Sequence, residues 1–456
     1  MRIESDLLGE RELEDNVYYG IQSLRGFENF PITGYKTNKN MIKSLALTKK
    51  ASAICNNKIK KLDDDVANAI SQACDELLDD KLLDQFIVDP IQGGAGTSLN
   101  MNINEVLANR GNEILGGKLG SYDRVHPNDH VNYAQSTNDV IPTAGKICAL
   151  YMSKELLEVL TDLISSFENK AKEFHDVIKM GRTQLQDAVP MRLSQEFNAY
   201  VKVLKRDYKR IDEASKALRY ISLGATAIGT SINADTEYVD EVVSILAELT
   251  SLDLTQNDDL VDGTQNLDCF TYFSSILKTF AINLSKISND LRLMSSGPRT
   301  GLGEINLPEK QPGSSIMPGK VNPVIPEVVN QVAFLVAGND VTISMAVEAG
   351  QLELNAFEPI IFYKTFQSIK TLRNVMKTFK TNCIDGITAN KEVCASHVEN
   401  SIGIITAIVP HIGYKKSSYV ARKALRENKN LKEILLEEGI MSKEEIENIL
   451  DIEKMV

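Results

Sequence analysis

Residues 313–323, Gly-Ser-Ser-Ile-Met-Pro-Gly-Lys-Val-Asn-Pro, bring two adjacent hydroxyls (Ser314, Ser315), one cation (Lys320) and one amide (Asn322) into a single short segment. Gly313 and Gly319 open backbone angles closed to other residues, and Pro318 and Pro323 oppose helix at and just before themselves. The segment is therefore a loop. Its hydroxyls could supply a nucleophile or a base, and its cation and amide could receive a carboxylate. An ordinary turn has the same composition, since Gly, Pro, Ser and Asn are the commonest turn formers. Helix-like stretches on both sides would allow the loop to move as a lid.

Three further polar clusters stand at breaks between helix-like stretches. Gly96-Thr-Ser-Leu-Asn-Met-Asn102 runs from glycine into a helix start, an arrangement that suits an anion or simply caps the helix. It lacks the Gly-Lys-Ser/Thr of a phosphate-binding loop. Gln135-Ser-Thr-Asn-Asp139 offers Ser136, Thr137 and Asn138 as neutral donors matched to a carboxylate, with a capping turn as the alternative. His126 and His130 have the i, i+4 spacing of metal ligands. Pro127 and Asn128 oppose a helix there and no third ligand is evident, so no metal site is expected. Gly181-Arg-Thr-Gln-Leu-Gln-Asp-Ala-Val-Pro190 offers Thr183 and Gln184 as donors, with Arg182 as a cation for substrate or for a structural ion pair.

The elements that must position these clusters read as helices. Leu156, Leu160, Leu163 and Phe167 share one helical face, and Val201, Leu204, Tyr208, Ile211 and Leu218 repeat the theme. Val239, Val242, Val243, Leu246 and Leu249 do the same. Prolines are nearly absent from 191 to 297, which suits helices of about twenty residues or more, long enough to need a bundle. Met41–Leu83 and Asn100–Leu115 also read as helical, and 126–138 as loop. Ser442 with Glu445 after Gly439 spells a helix stop followed by a capping box. Strand signals are sparse, so the fold class is mainly α.

At 456 residues the chain exceeds one ordinary domain. Three are expected: a mixed, mainly helical one over 1–139, a central long-helix bundle over 140–392 carrying the 313–323 loop, and a small helical one over 393–456. Composition, 43% hydrophobic and 25% charged, is that of a soluble globular protein. No apolar run approaches the roughly 18 residues of a membrane span. Met1–Asp6 is polar without an apolar h-region, so the cytoplasm is expected. Six scattered cysteines, none in a Cys-x-x-Cys pair, read as reduced and mostly buried thiols. A net charge of −12 opposes nucleic acid as partner, and an anionic substrate must be captured by a few fixed donors.

The 313–323 loop resembles the signature of the fumarase/aspartase superfamily, whose members cleave C–N or C–O bonds and release fumarate. The three clusters match its other regions in order. Asp6-Leu-Leu-Gly-Glu-Arg11, Tyr18-Tyr19-Gly20, Glu348-Ala-Gly-Gln-Leu-Glu-Leu-Asn355 and Asn400-Ser-Ile-Gly403 extend the resemblance through essentially the whole chain. Fumarases typically carry Ser-Ser-Asn at Ser136-Thr137-Asn138 and histidine at Gln184, although His130 is fumarase-like. Glu304-Ile-Asn-Leu-Pro308, Pro323–Gln331 and Glu348–Gln351 resemble the aspartate ammonia-lyase branch.

The resemblance implies a three-domain fold whose central helices form a multi-helix core in a homotetramer with sites shared between subunits. It implies reversible deamination of L-aspartate to fumarate and ammonia, with fumarate hydration the nearest alternative and a non-catalytic scaffold a remoter one. Ser314 would be the general base. Thr97, Thr137, Thr183, Gln184, Lys320 and Asn322 would hold the carboxylates, with Ser136 and Asn138 contributing. No organic cofactor is implied, since the Ala-Ser-Gly triplet of other ammonia-lyases is absent, and no ligand set supports a divalent cation.

Overall fold

The computed structural model describes residues 1–451 and 455–456; residues 452–454, within the expected C-terminal domain, lie outside the described residues. A hairpin, β1 (Arg2–Asp6) with β2 (Gly9–Leu13), opens the chain and is followed by α1 (Ile21–Asn29), α2 (Lys39–Lys58), α3 (Asp64–Leu78) and α4 (Thr97–Ile114). Then come α5 (Thr137–Glu173), the hairpin β3 (Ile178–Thr183) with β4 (Gln186–Arg192), and α6 (Leu193–Lys216). Strand β5 (Tyr220–Ile221), α7 (Thr236–Thr250), β6 (Thr255–Gln256), α8 (Leu260–Gln265) and α9 (Asp268–Met294) lead to β7 (Ile305–Asn306). After the signature loop follow α10 (Val324–Glu348), α11 (Glu358–Asn382), β8 (Thr388–Ala389) and α12 (Lys391–Asn400). Shorter helices close the chain: α13 (Ile405–Ile412), α14 (Tyr414–Glu427), α15 (Leu431–Glu437) and α16 (Lys443–Ile449). The fold is mainly helical, as its sequence pattern requires.

The residues group into two compact units. The first comprises Met1–Leu157, Lys209–Thr279 and Phe334–Arg373. The second comprises Glu158–Tyr208, Phe280–Ala333 and Asn374–Val456. In the second, Phe167, Phe174, Phe197, Tyr200 and Phe379 meet in edge-on and tilted pairs, the geometry that aligns ring edges with ring faces. The last helices enclose their own core, in which Ile404, Ile408, Val420, Leu431, Ile434 and Ile446 bury together with Met180 of β3. Ser442 and Glu445 form the capping box expected of them.

Several local readings change. Met41–Leu83 is two helices, α2 and α3, because the chain turns at Lys60 with φ of 64° and restarts beyond Asp63. Residues 127–131 wind into one π-helical turn instead of open loop. Tyr208 is exposed and its neighbour Asp207 is buried, accepting hydrogen bonds from Asn283 Nδ2 at 2.9 and 2.8 Å. Helix α10 is long and apolar enough to cross a membrane by length and composition. It nevertheless carries buried Asp340, which accepts from Ser274 Oγ at 2.8 Å and pairs with Lys278. A buried carboxylate hydrogen-bonded and paired in this way belongs to a helix packed in protein.

Candidate active site

The signature loop closes on itself at its neck. Gly313 N donates to Lys320 O at 2.7 Å, and Asn322 Nδ2 donates to Gly313 O at 2.8 Å. A Cβ on Gly313 would lie 2.6 Å from Lys320 O, so only glycine permits this closure. Gly319 turns the far end with φ of +81°. Within the loop, Ser314 Oγ accepts from Ile316 N at 3.2 Å and from Met317 N at 3.1 Å. Two backbone donors on one hydroxyl oxygen favour its anionic form, which a serine base requires. Ser314 is half-buried, whereas Lys320 and the apolar Ile316 (84%) stand out into solvent.

In the same unit, Thr183 and Gln184 occupy the tip of the β3–β4 hairpin, with Thr183 paired to Gln186 across a two-residue turn. Both turn residues, Gln184 and Leu185, have positive φ (53° and 60°). Such a turn normally takes Asn-Gly, and a left-handed non-glycine residue costs about 1–2 kcal/mol. Gly181 accommodates a bulge one step earlier, where a Cβ would meet Val189 O at 2.8 Å. The sequence reading as a polar turn therefore becomes a strained hairpin. The strand signal was hidden because Gly181 and Pro190 break the alternation on which strand recognition depends.

The remaining residues lie in the other unit. Gly94, Ala95 and Gly96 are consecutively left-handed (φ 78°, 53° and 88°) and deliver the chain into α4, with Thr97 exposed at its first turn. Thr97 Oγ1 donates to Gly94 O at 2.7 Å. Ser136 caps α5: its Oγ accepts from Asn138 N at 3.2 Å, and its N donates to Asp139 Oδ1 at 2.9 Å, a reciprocal box. Asn138 Nδ2 donates to Ala227 O at 2.7 Å. Asn100 Nδ2 reaches Thr137 Oγ1 at 3.3 Å, so the first and second clusters are joined. The capping alternative is thus realised at Ser136. Ser136→Ala is expected to lower unfolding free energy by about 1 kcal/mol. A urea midpoint that does not move would show that the hydroxyl is not capping.

Beneath this turn lie two buried titratable groups, Asp139 and Lys49, that the sequence reading missed. Asp139 accepts backbone N–H groups from Ser136, Gly224 (3.1 Å) and Thr226 (3.0 Å), while burial pushes its carboxyl up to about 6. Burial draws the Lys49 ammonium down to about 7, and its Nζ donates to Asn132 Oδ1 at 2.8 Å and Gln135 Oε1 at 3.0 Å. Of the adjacent Lys49 and Lys50 in the Leu45–Ala53 stretch only Lys49 is buried, a difference that sequence alone does not announce. His126 Nδ1 accepts from Asn128 N and Asp129 N, and His130 Nδ1 from His126 N. Among the described residues no three His, Cys, Asp or Glu side chains are grouped to hold a metal ion.

Comparison with known proteins adds to this geometry. A family model described as Lyase matches residues 9–338, and one described as Fumarase C C-terminus matches 404–456. Aspartate ammonia-lyase of Bacillus subtilis (strain 168) is 53% identical over 450 residues, covering 99% of this chain and 95% of the relative. That of Escherichia coli (strain K12) is 48% identical over 459 residues, covering 100% and 96%. Among solved structures, a fumarate lyase:delta crystallin from Brucella melitensis bound to cobalt superposes with TM-score 0.97 at 47% identity, covering 100% of this chain and 99% of the other. A class II fumarase from Schistosoma mansoni gives 0.96 at 33% identity, covering 100% and 98%.

Proposed function

Because the chain belongs to the fumarase/aspartase superfamily, we propose that it is a carbon–nitrogen lyase that reversibly deaminates L-aspartate to fumarate and ammonia. The observation that carries the reaction class is Ser314, whose oxygen accepts two backbone N–H groups inside a glycine-pinned loop. That environment lowers the cost of a serine oxyanion able to take the C3 proton. Aspartate is chosen over malate on the names of the closely similar relatives.

Removing the C3 proton sends its electron pair into the adjacent carboxylate, which becomes a dianionic aci form. Donors fixed on that group lower the barrier more than a base alone. On this reading Lys320 and Asn322 of the loop, Thr183 and Gln184 of the hairpin, and Thr97 and Thr137 are the donors that hold the two carboxylates in a site shared between subunits. Ser136 and Asn138 complete the second cluster. Collapse of the aci form then expels ammonia from C2. The sequence of steps calls for no redox change and no organic electron sink. Ile316, exposed on the open loop, finds cover when the loop closes over substrate.

The working form is a homotetramer whose sites draw on more than one subunit. Phe334 (68%), Val341 (58%) and Met345 (67%) form an exposed apolar stripe at i, i+7 and i+11 on α10, the pattern of a helix awaiting partner helices. Its compartment on this reading is the cytoplasm, where the six free cysteines, most of them buried, stay reduced. The test is fumarate absorbance after adding purified protein separately to L-aspartate and L-malate. Fumarate from aspartate alone is expected; fumarate from malate alone would overturn the substrate assignment.

A further inference from the structure

Glu304 is a buried carboxylate that no step of the proposed reaction uses. It is 0% exposed and stands ten residues before Ser314, where β7 begins. Its backbone is fixed at both ends: Glu304 N donates to Met294 O at 2.8 Å, and Asn390 N donates to Glu304 O at 2.9 Å. Two cations and an imidazole converge on the side chain. Arg182 Nη1 donates to Oε1 at 2.7 Å, Lys179 Nζ lies 3.3 Å from Oε2, and His397 Nδ1 lies 3.4 Å from Oε1. Lys179 and Arg182 flank the Gly181 bulge, and Arg182 immediately precedes Thr183.

The hairpin tip needs such an anchor. With two left-handed residues and no glycine, the Gln184–Leu185 turn opposes its own local preference, so something outside it must hold it. The far strand is gripped as well: Ser401 Oγ donates to Asp187 Oδ2 at 2.8 Å, and a Cβ on Gly403 would sit 2.2 Å from Ala188 O. A buried ion cluster contributes little net stability over a well-packed apolar core, and its best-attested use is to specify one arrangement. We propose that Glu304 is a positioning residue: through Arg182 and Lys179 it sets the Thr183–Gln184 donors in register with the root of the Ser314 loop. This deepens the proposed function and rests on it for the role of Thr183 and Gln184.

The experiment measures calorimetric Kd for succinate, a non-reacting dicarboxylate, and KM for L-aspartate in Glu304→Gln, Thr183→Ala and the double variant. Displacing a positioned group by about 1 Å costs up to about 10²-fold, so Glu304→Gln is expected to raise the succinate Kd by 10- to 100-fold. The double variant should bind no more weakly than the weaker single, because both changes disable one device. Arg182→Lys, which keeps the cation but loses the fork, should show a smaller rise with the same non-additivity, and serves if Glu304→Gln does not fold. A Kd within twofold of wild type, or additive losses in the double variant, would overturn the proposal. A lowered urea midpoint accompanied by unchanged Kd would do so too, leaving Glu304 a purely structural residue. Failure of the wild type to turn over aspartate would count against the reaction assignment alone, since succinate binding still reads the positioning.

Discussion

Ser314→Ala is expected to cut kcat by ~10²–10⁴-fold, the range a positioned base contributes, while leaving the protein folded. Among the described residues the Ser314 hydroxyl accepts from Ile316 N and Met317 N alone, within a loop whose residues 313–323 are exposed or half-buried, so its loss leaves no buried group of that loop unpaired. The urea midpoint should stay where it is and succinate should still bind, because the neck of the loop is closed by Gly313, Lys320 and Asn322. The variant therefore separates chemistry from binding. Undiminished turnover would remove Ser314 from the base role.

Lys320→Ala should lower kcat/KM by ~10²–10³-fold, with binding and rate falling together. The lysine backbone is held on both sides, its O by Gly313 N and its N to Met317 O at 3.3 Å, so truncation removes the ammonium without releasing the loop. In a protein of net charge −12, an anionic substrate gains little from the surface field and depends on such local cations. A carboxylate attracts this charge in the ground state, and the aci form attracts it more. Steady-state kinetics beside succinate calorimetry resolves the two parts. A rate loss with unaltered affinity would assign Lys320 to stabilising the transition state only.

Long helices were legible because their stripes repeat over many turns: Leu156, Leu160, Leu163 and Phe167 are all buried. The loop was legible because glycine and proline restrict the backbone whatever surrounds them, and Gly313 does the work its type suggests. Ser136 illustrates the limit. Its cap was readable from neighbouring residues, but its junction with Asn100 through Thr137 depends on residues 36 and 37 positions apart. Buried Lys49 and Asp139 and the Glu304–Arg182 ion pair were invisible for the same reason, since contacts with distant residues have no local pattern. The hairpin at 178–192 hid behind its own bulge, and the two left-handed residues at its tip contradict every turn preference that could have announced them.

That strained tip also has an order in time. Two of its restraints come from far along the chain, Arg182 to Glu304 across 122 residues and Ser401 to Asp187 across 214. During synthesis the amino-terminal parts fold first, so the hairpin emerges long before either clamp exists. A nascent chain interrupted short of Ser401 could form its early helices and already contain every donor of Thr183 and Gln184. It would lack the grip on β4 that keeps their backbone left-handed. The turn geometry proposed for substrate binding is thus among the last features the growing protein acquires, and partial chains can be well folded without it.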